Sequence, residues 1–242
     1  AVLEEFRKDL LPSKFEKAQQ PDKSTIQLGL RTFKNLKWIE ISWLAEAPRI
    51  VEIPPPSKNG NDSTLAKQFQ HLLSEMALVE IKQDGFERII ELMFTSRPGE
   101  RILKTVVIEI MGRHSNILLL DEHRKIITLG RQIRKHQSRL RPISTGDTYS
   151  PPPSLKGIQP CLKESFDAWK KRLCLIPSNL KQALQNSYQG ISPSLLLQIA
   201  GESYQESSFL LSSNVKDISE NDWQKVYKNW RFWLNSFNNK IF

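Results

Sequence analysis

Apolar residues fall along this chain in two rhythms, and the rhythm changes once. Up to residue 149 they come mainly as short runs or alternations of strand length. Val2, Leu3, Phe6 and Leu10 open the chain at helical spacing, and Pro12 ends that helix. Strands are expected over 14–20 and 24–31, turned at Pro21-Asp22-Lys23, then over 36–44 and 49–53. Pro54-Pro55-Pro56 stops the last of these, and 57–63 reads as a polar loop. Leu65, Phe69, Leu72, Leu73 and Met76 make the apolar stripe of a second helix, starting at Ser63 or Thr64. Strands over 77–82 and 86–95 follow, joined at the Asp84-Gly85 turn, then 101–111, 115–121 and 125–129. Many short strands with few helices between them predict an α+β fold: a mainly antiparallel, two-sheet N-terminal domain with flanking helices.

Past Tyr149 and Pro151-Pro152-Pro153 the strand signals stop, which places a domain boundary there, with domains at 1–153 and 154–242. Phe166, Trp169 and Leu173 form one helical stripe, and Leu180, Ala183 and Leu184 a second. Gly190-Ile191-Ser192-Pro193 then leads into a helix over 194–200. Helix, hairpin and helix in this order resemble a helix-hairpin-helix unit, whose backbone N–H groups hold a phosphate; an ordinary helical turn fits as well. Residues 207–214 read as a polar linker. Trp223, Tyr227, Trp230, Trp233, Leu234 and Phe237 form an aromatic stripe, the mark of a core or a partner-helix face more than of a base-stacking platform.

One interruption stands out. The apolar runs 106–111 and 117–120 are uninterrupted enough to suit strands covered on both faces. Between them lie Gly112, Arg113, His114 and Ser115, with Asn116 next. Arg113 brings a planar five-donor fork suited to phosphate, and stiff strands on each side suit recognition. Equally, such a loop can simply cap two core strands.

Charge favours the first reading. The formal net charge is +9. From Arg101 to Arg141 ten Lys or Arg face three acids, Glu109, Asp121 and Glu122. Arg131, Arg134, Lys135, Arg139 and Arg141 crowd around His136, directly after the interruption, and point to an anionic partner.

Other chemistry is missing from the sequence. It holds no P-loop, dinucleotide fingerprint or His-Glu-x-x-His motif. Two Cys and four scattered His make no metal pattern or triad, so no cofactor and no catalysis are expected. No apolar run approaches the roughly 18 residues of a membrane helix. Acids stand at the start where a signal peptide would be basic, so a cytoplasmic protein is expected, here as a fragment trimmed at both ends.

The run Met111-Gly112-Arg113-His114-Ser115-Asn116-Ile117, with Asp121 after three more aliphatics, resembles the signature of the NFACT-N domain of the RqcH/NEMF family, long described in bacteria as fibronectin-binding protein A. Three further stretches are similar: Gly85-Phe86-Glu87-Arg88, Ser138-Arg139 with Gly146-Asp147-x-Tyr149, and Gly190-Ile191-Ser192-Pro193. The resemblance covers about residues 1–200 and does not extend to the coiled coil and RNA-binding domain of longer members. It implies a fold like the N-terminal domain of formamidopyrimidine-type DNA glycosylases, followed by a helix-hairpin-helix domain. It implies ribosome quality control: binding of the large ribosomal subunit carrying a stalled nascent chain, and recruitment of tRNA, for alanine in bacteria, for C-terminal tailing. The family's Asp-Arg pair, associated with tRNA, corresponds to Glu87-Arg88; Arg88 matches, and Glu87 carries the same charge one methylene further out. Residue types alone would make that pair a solvated strand end. The nucleic-acid-binding residues expected are therefore Glu87, Arg88, Arg113, His114, Ser115, Asn116, Arg131, Arg134, Lys135, Arg139, Arg141, Gly190 and Ser192. Two alternatives are a surface adhesin for fibronectin and a glycosylase-like DNA-binding protein.

Overall fold

The computed structural model describes residues 2–57, 63–134 and 141–239. The chain divides into two compact units. One comprises Val2–Asp84 and Arg88–Pro152; the other joins Gly85–Glu87 to the chain from Pro153 onward.

The first unit is built on nine antiparallel strands: β1 (Ser13–Asp22), β2 (Thr25–Arg31), β3 (Leu36–Ser42), β4 (Arg49–Ile53), β5 (Ala77–Lys82), β6 (Ile89–Thr95), β7 (Lys104–Glu109), β8 (Asn116–Leu120) and β9 (Ile126–Leu129). Their order is β4-β3-β2-β1-β5-β6-β7-β8-β9 in a single sheet. The two-sheet expectation is thereby corrected. The halves are joined by the short β1–β5 pairing Ser13↔Leu78 and Lys14↔Ala77, extended by the Phe15 N–H donating to the Met76 carbonyl at 2.9 Å. Beyond Phe15, helix α2 (Thr64–Leu73) takes the place of a strand beside β1. Gln70 accepts from the Ala18 N–H at 2.9 Å and donates to the Glu16 carbonyl at 3.0 Å, so β1 keeps its backbone bonds while leaving β5.

Helix α1 (Val2–Leu10) buries Leu3, Phe6 and Leu10. These join a core drawn from α2 and both halves of the sheet, including Leu28, Ile39, Leu92, Phe94, Val106 and Ile117. Each fully buried side chain of this size contributes roughly 1.5–3 kcal/mol. Alternate residues of β7 and β8, Val107, Leu118 and Leu120, pack on the opposite face with Ile126, Ile143 and Tyr149. Both faces of these strands are covered, which is why their sequence is apolar without alternation. Two stiff, doubly buried strands therefore flank the polar interruption.

The second unit is helical: α3 (Phe166–Leu173), α4 (Leu180–Ser187), α5 (Pro193–Ala200), α6 (Tyr204–Ser212) and α7 (Glu220–Asn239). Side-chain caps from Ser165, Asn179, Ser192 and Ser203 start α3 to α6. Helix α6 overturns the linker expected over 207–214. Its serines lower the apolar signal, yet Ser207 and Leu211 are buried and Ser203 supplies the cap. Trp223, Tyr227, Trp230 and Leu234 of α7 enclose Trp169, Leu184 and Tyr188, so most of the aromatic stripe is core. Phe86 belongs to this unit, its ring 5.9 Å from that of Trp233 and 5.8 Å from that of Phe237.

Candidate nucleic-acid interface

Register brings three strand ends together. Ile89 faces Glu109, Glu109 faces Asn116, and Leu118 faces Leu129. One step outward, the Ile110 N–H donates to the Arg88 carbonyl at 2.9 Å. Arg88 thus lies beside the end of β7, where a 3-10 turn, Gly112–His114, reverses the chain into β8. Gly112 opens this turn at φ +54, a left-handed conformation that glycine adopts without strain. Arg131 leaves β9 at the same end of the sheet.

The turn is held from inside. Ser115 is buried and its hydroxyl accepts the Met111 N–H at 2.8 Å. Asn116 is fully buried. Its amide donates to the Arg131 carbonyl at 2.8 Å, and its side-chain oxygen accepts from the Arg131 and Ile117 N–H groups at 2.9 and 3.0 Å. The Arg131 guanidinium in turn donates to the Arg113 carbonyl at 2.7 Å. Arg113 Nε donates to His114 Nε2 at 3.1 Å, so the two side chains lie together in solvent. Ser115 and Asn116 therefore act as supports, and Arg113, His114 and Arg131 as the presented groups. Arg88, Arg113 and Arg131 are exposed, and none of the three has an ion-pair partner among the described residues. Four donors of the Arg131 fork remain beyond the one that holds the turn.

The remaining expected residues go elsewhere. Arg141 is not offered outward. It clasps Glu109 with two bonds, 3.0 and 2.5 Å, and donates from Nε to the Ser150 carbonyl at 2.7 Å. Glu109 is 1% exposed and also accepts the Tyr149 hydroxyl at 2.9 Å. Burial, reinforced by the Glu109 charge, pushes the Tyr149 phenol well above its ordinary range. The Arg124 and Arg141 guanidinium groups lie over the Tyr149 ring, and Arg124 also pairs with Glu91 at 2.7 Å. Sequence reading missed this network. Its signal was Glu109 itself, one acid inside an apolar strand, which needs a cation when buried. Arg134 is exposed beside the Ile133↔Ile143 bridge. Lys135, His136 and Arg139 lie outside the described residues.

Glu87 is half-buried in the helical unit and accepts the Leu155 N–H at 3.1 Å. Its carboxylate anchors backbone there, while its chain neighbour Arg88 immediately precedes β6 in the sheet unit. Gly190, at φ +74, lies against Phe86, and the Ser192 hydroxyl caps α5 by accepting the Leu195 N–H at 3.1 Å. Helix, tight turn and helix are thus observed over α4 and α5. Among the described residues no cluster of His, Cys, Asp or Glu is arranged to hold a metal, and no helix is long and apolar enough to cross a membrane.

The chain is similar to several known proteins. Proteins called Rqc2 homolog RqcH are similar: that of Streptococcus pneumoniae is 29% identical over 163 residues, 66% of this chain and 30% of its own length. That of Bacillus subtilis is 31% identical over 117 residues, 47% of this chain and 20% of its own. The chain thus spans under a third of the length of these relatives. Among solved structures, a fibrinogen binding protein from Staphylococcus aureus superposes with a TM-score of 0.66 at 25% identity, over 95% of this chain and 79% of that one. The N-terminal part of the fibronectin/fibrinogen-binding protein from Streptococcus suis gives 0.69 at 22% identity, over 95% and 81%, a likeness of fold. The model of the family described as NFACT N-terminal and middle domains matches residues 1–242, and the chain belongs to that family.

Proposed function

We propose that this chain is the tRNA-holding part of an RqcH-type ribosome quality-control factor. In this reading it acts at large ribosomal subunits carrying a stalled nascent chain. It recruits tRNA, alanine tRNA in bacteria, so that the ribosome adds a C-terminal tail; no covalent step falls to this chain. The observation that carries the reading is the sheet end where Arg88, Arg113 and Arg131 stand exposed without acid partners among the described residues, braced by buried Asn116. Cations fixed on a stiff frame hold phosphates at low entropic cost. The α4–α5 turn at Gly190 to Ser192 is a further phosphate site in the manner of a helix-hairpin-helix unit.

The test is binding of alanine tRNA measured against salt concentration. Arg88→Ala and Arg113→Ala should each lower the slope of log affinity on log salt by about 0.9. Affinity that does not change with salt would overturn the reading. A second reading, binding of fibronectin, is favoured by the name of one structural neighbour, the fibronectin/fibrinogen-binding protein of Streptococcus suis. Fibronectin captured at physiological salt, equally well by Arg88→Ala and Arg113→Ala, would support it over the first.

A further inference from the structure

The opposite end of the same sheet carries a pocket of about 410 Å³ that the reading above leaves unused. Four strand ends build it. Pro12 and Ser13 enter β1, Thr32 and Phe33 leave β2, Ala77 starts β5, and Pro98 follows β6. We propose that this pocket receives one unstacked nucleobase of single-stranded RNA, with Phe33 as the stacking surface. The proposal rests on the RNA-binding reading.

Three observations point to a base. First, Phe33 is 95% exposed, yet its turn is tightly held. The Thr32 N–H donates to the Asn35 carbonyl at 2.9 Å, and the Thr32 hydroxyl accepts the Lys34 and Asn35 N–H groups at 3.2 Å each. A flat ring is thus kept in solvent by a stiff turn, the arrangement that lets a base stack on it without first ordering a loop. Second, Ser13 is 4% exposed and forms part of the wall, and its hydroxyl oxygen, shut off from solvent, has no hydrogen-bond partner among the described residues. A base edge would supply the missing partner once this side chain turned toward the cavity. Third, the charges are sorted. The wall cations are neutralised, Lys14 by Glu75 at 2.7 Å and Arg31 by Glu16 at 2.7 Å, so the cavity suits a neutral ring and not a phosphate. Just outside, Lys34 and Arg97 are exposed, with no acid partner among the described residues. They flank Phe33 and Pro98, where the phosphates on either side of a bound base would run. An apolar side chain from a protein partner would leave the Ser13 hydroxyl unpaired and would not use Lys34 or Arg97. The volume lies in the ordinary range for small-ligand pockets, roughly 300–1,000 Å³.

The experiment uses the whole chain with Phe33→Trp as a fluorescent reporter and a short single-stranded oligoribonucleotide of adenosine and uridine as probe. Saturable quenching is expected. Measured against the unaltered protein, Phe33→Ala should weaken binding of the same oligonucleotide about tenfold, with the salt slope unchanged because the ring carries no charge. Ser13→Ala should weaken it less. If tRNA binding proves indifferent to Arg88→Ala and Arg113→Ala while quenching persists, the earlier reading falls and the pocket stands. A folded Phe33→Trp protein that the oligonucleotide does not quench, a Phe33→Ala protein that binds it undiminished, or quenching by an apolar peptide alone would each overturn the pocket.

Discussion

Arg113 and Arg141 belong to one basic stretch, yet the fold treats them in opposite ways. At the Gly112–His114 turn, Arg113 and Arg131 stand in solvent with no acid partner among the described residues. Near the outer end of β7, Arg141 is folded down onto Glu109 and covered by the Tyr149 ring. The difference lies in what the neighbouring strand offers. Glu109 interrupts an apolar run and must be neutralised on burial, so it captures whichever guanidinium the chain brings past it. No acid occupies the turn itself, so its cations stay available. A run of basic residues is therefore not by itself a binding face; the buried acids nearby decide which of its members reach a partner.

Variants that break the contrast should show it most clearly at the buried end. Glu109→Leu strands the Arg141 guanidinium and the Tyr149 hydroxyl, and should cost roughly 3–5 kcal/mol in a urea unfolding titration. Asn116→Ala removes the internal brace. We expect a loss of roughly 1–3 kcal/mol, from backbone groups left unpaired, together with weaker tRNA binding as Arg131 loses its place. Tyr149→Phe deletes one hydrogen bond to the buried carboxylate and should cost about 1 kcal/mol, leaving the salt dependence of tRNA binding unchanged. Arg113→Ala lies at the other extreme. Unfolding should shift by no more than about 0.5 kcal/mol, while the salt slope falls; a large stability loss would mean that Arg113 is structural after all.

A pH titration sharpens the same contrast. Burial raises the Tyr149 phenol, with the Glu109 charge adding to it, and burial raises Tyr188, with the hydrogen bond to Glu164 adding to it. A raised folded-state value means that the neutral phenol stabilises the fold fully below the unfolded value of about 10, and that this stability is lost as pH rises beyond it. The urea midpoint should therefore decline above about pH 10, and less steeply in Tyr149→Phe. At the acidic end, Asp121 is held below its ordinary range by the Lys125 N–H and then the His123 N–H. Its contribution to the β8–β9 turn is present above the unfolded value and fades as pH falls through the lowered one.

Much of this was legible in residue order. The helix, sheet and turn positions followed from apolar spacing and from Pro and Gly, because local sterics and burial on one or two faces act at short range. The alternation lost in β7 and β8 announced strands covered twice. Helix α6 was not legible, since serines mask a stripe that only neighbouring helices complete. The single sheet was not legible either. It turns on the short pairing of Ser13↔Leu78 and Lys14↔Ala77, which links strands far apart in the chain.

By itself the sequence determined the family, through the Gly112-to-Asp121 signature, and the presence of strong positive charge beside it. Tertiary structure alone decided which residues carry that charge outward. Glu87 went to a backbone N–H of the helical unit, Arg141 to a buried carboxylate, and Asn116 to the support of Arg131. It also gathered Phe33 and Ser13 into one pocket. Burial and pairing depend on partners distant in sequence, and side-chain chemistry is spent or left free only once those partners have met.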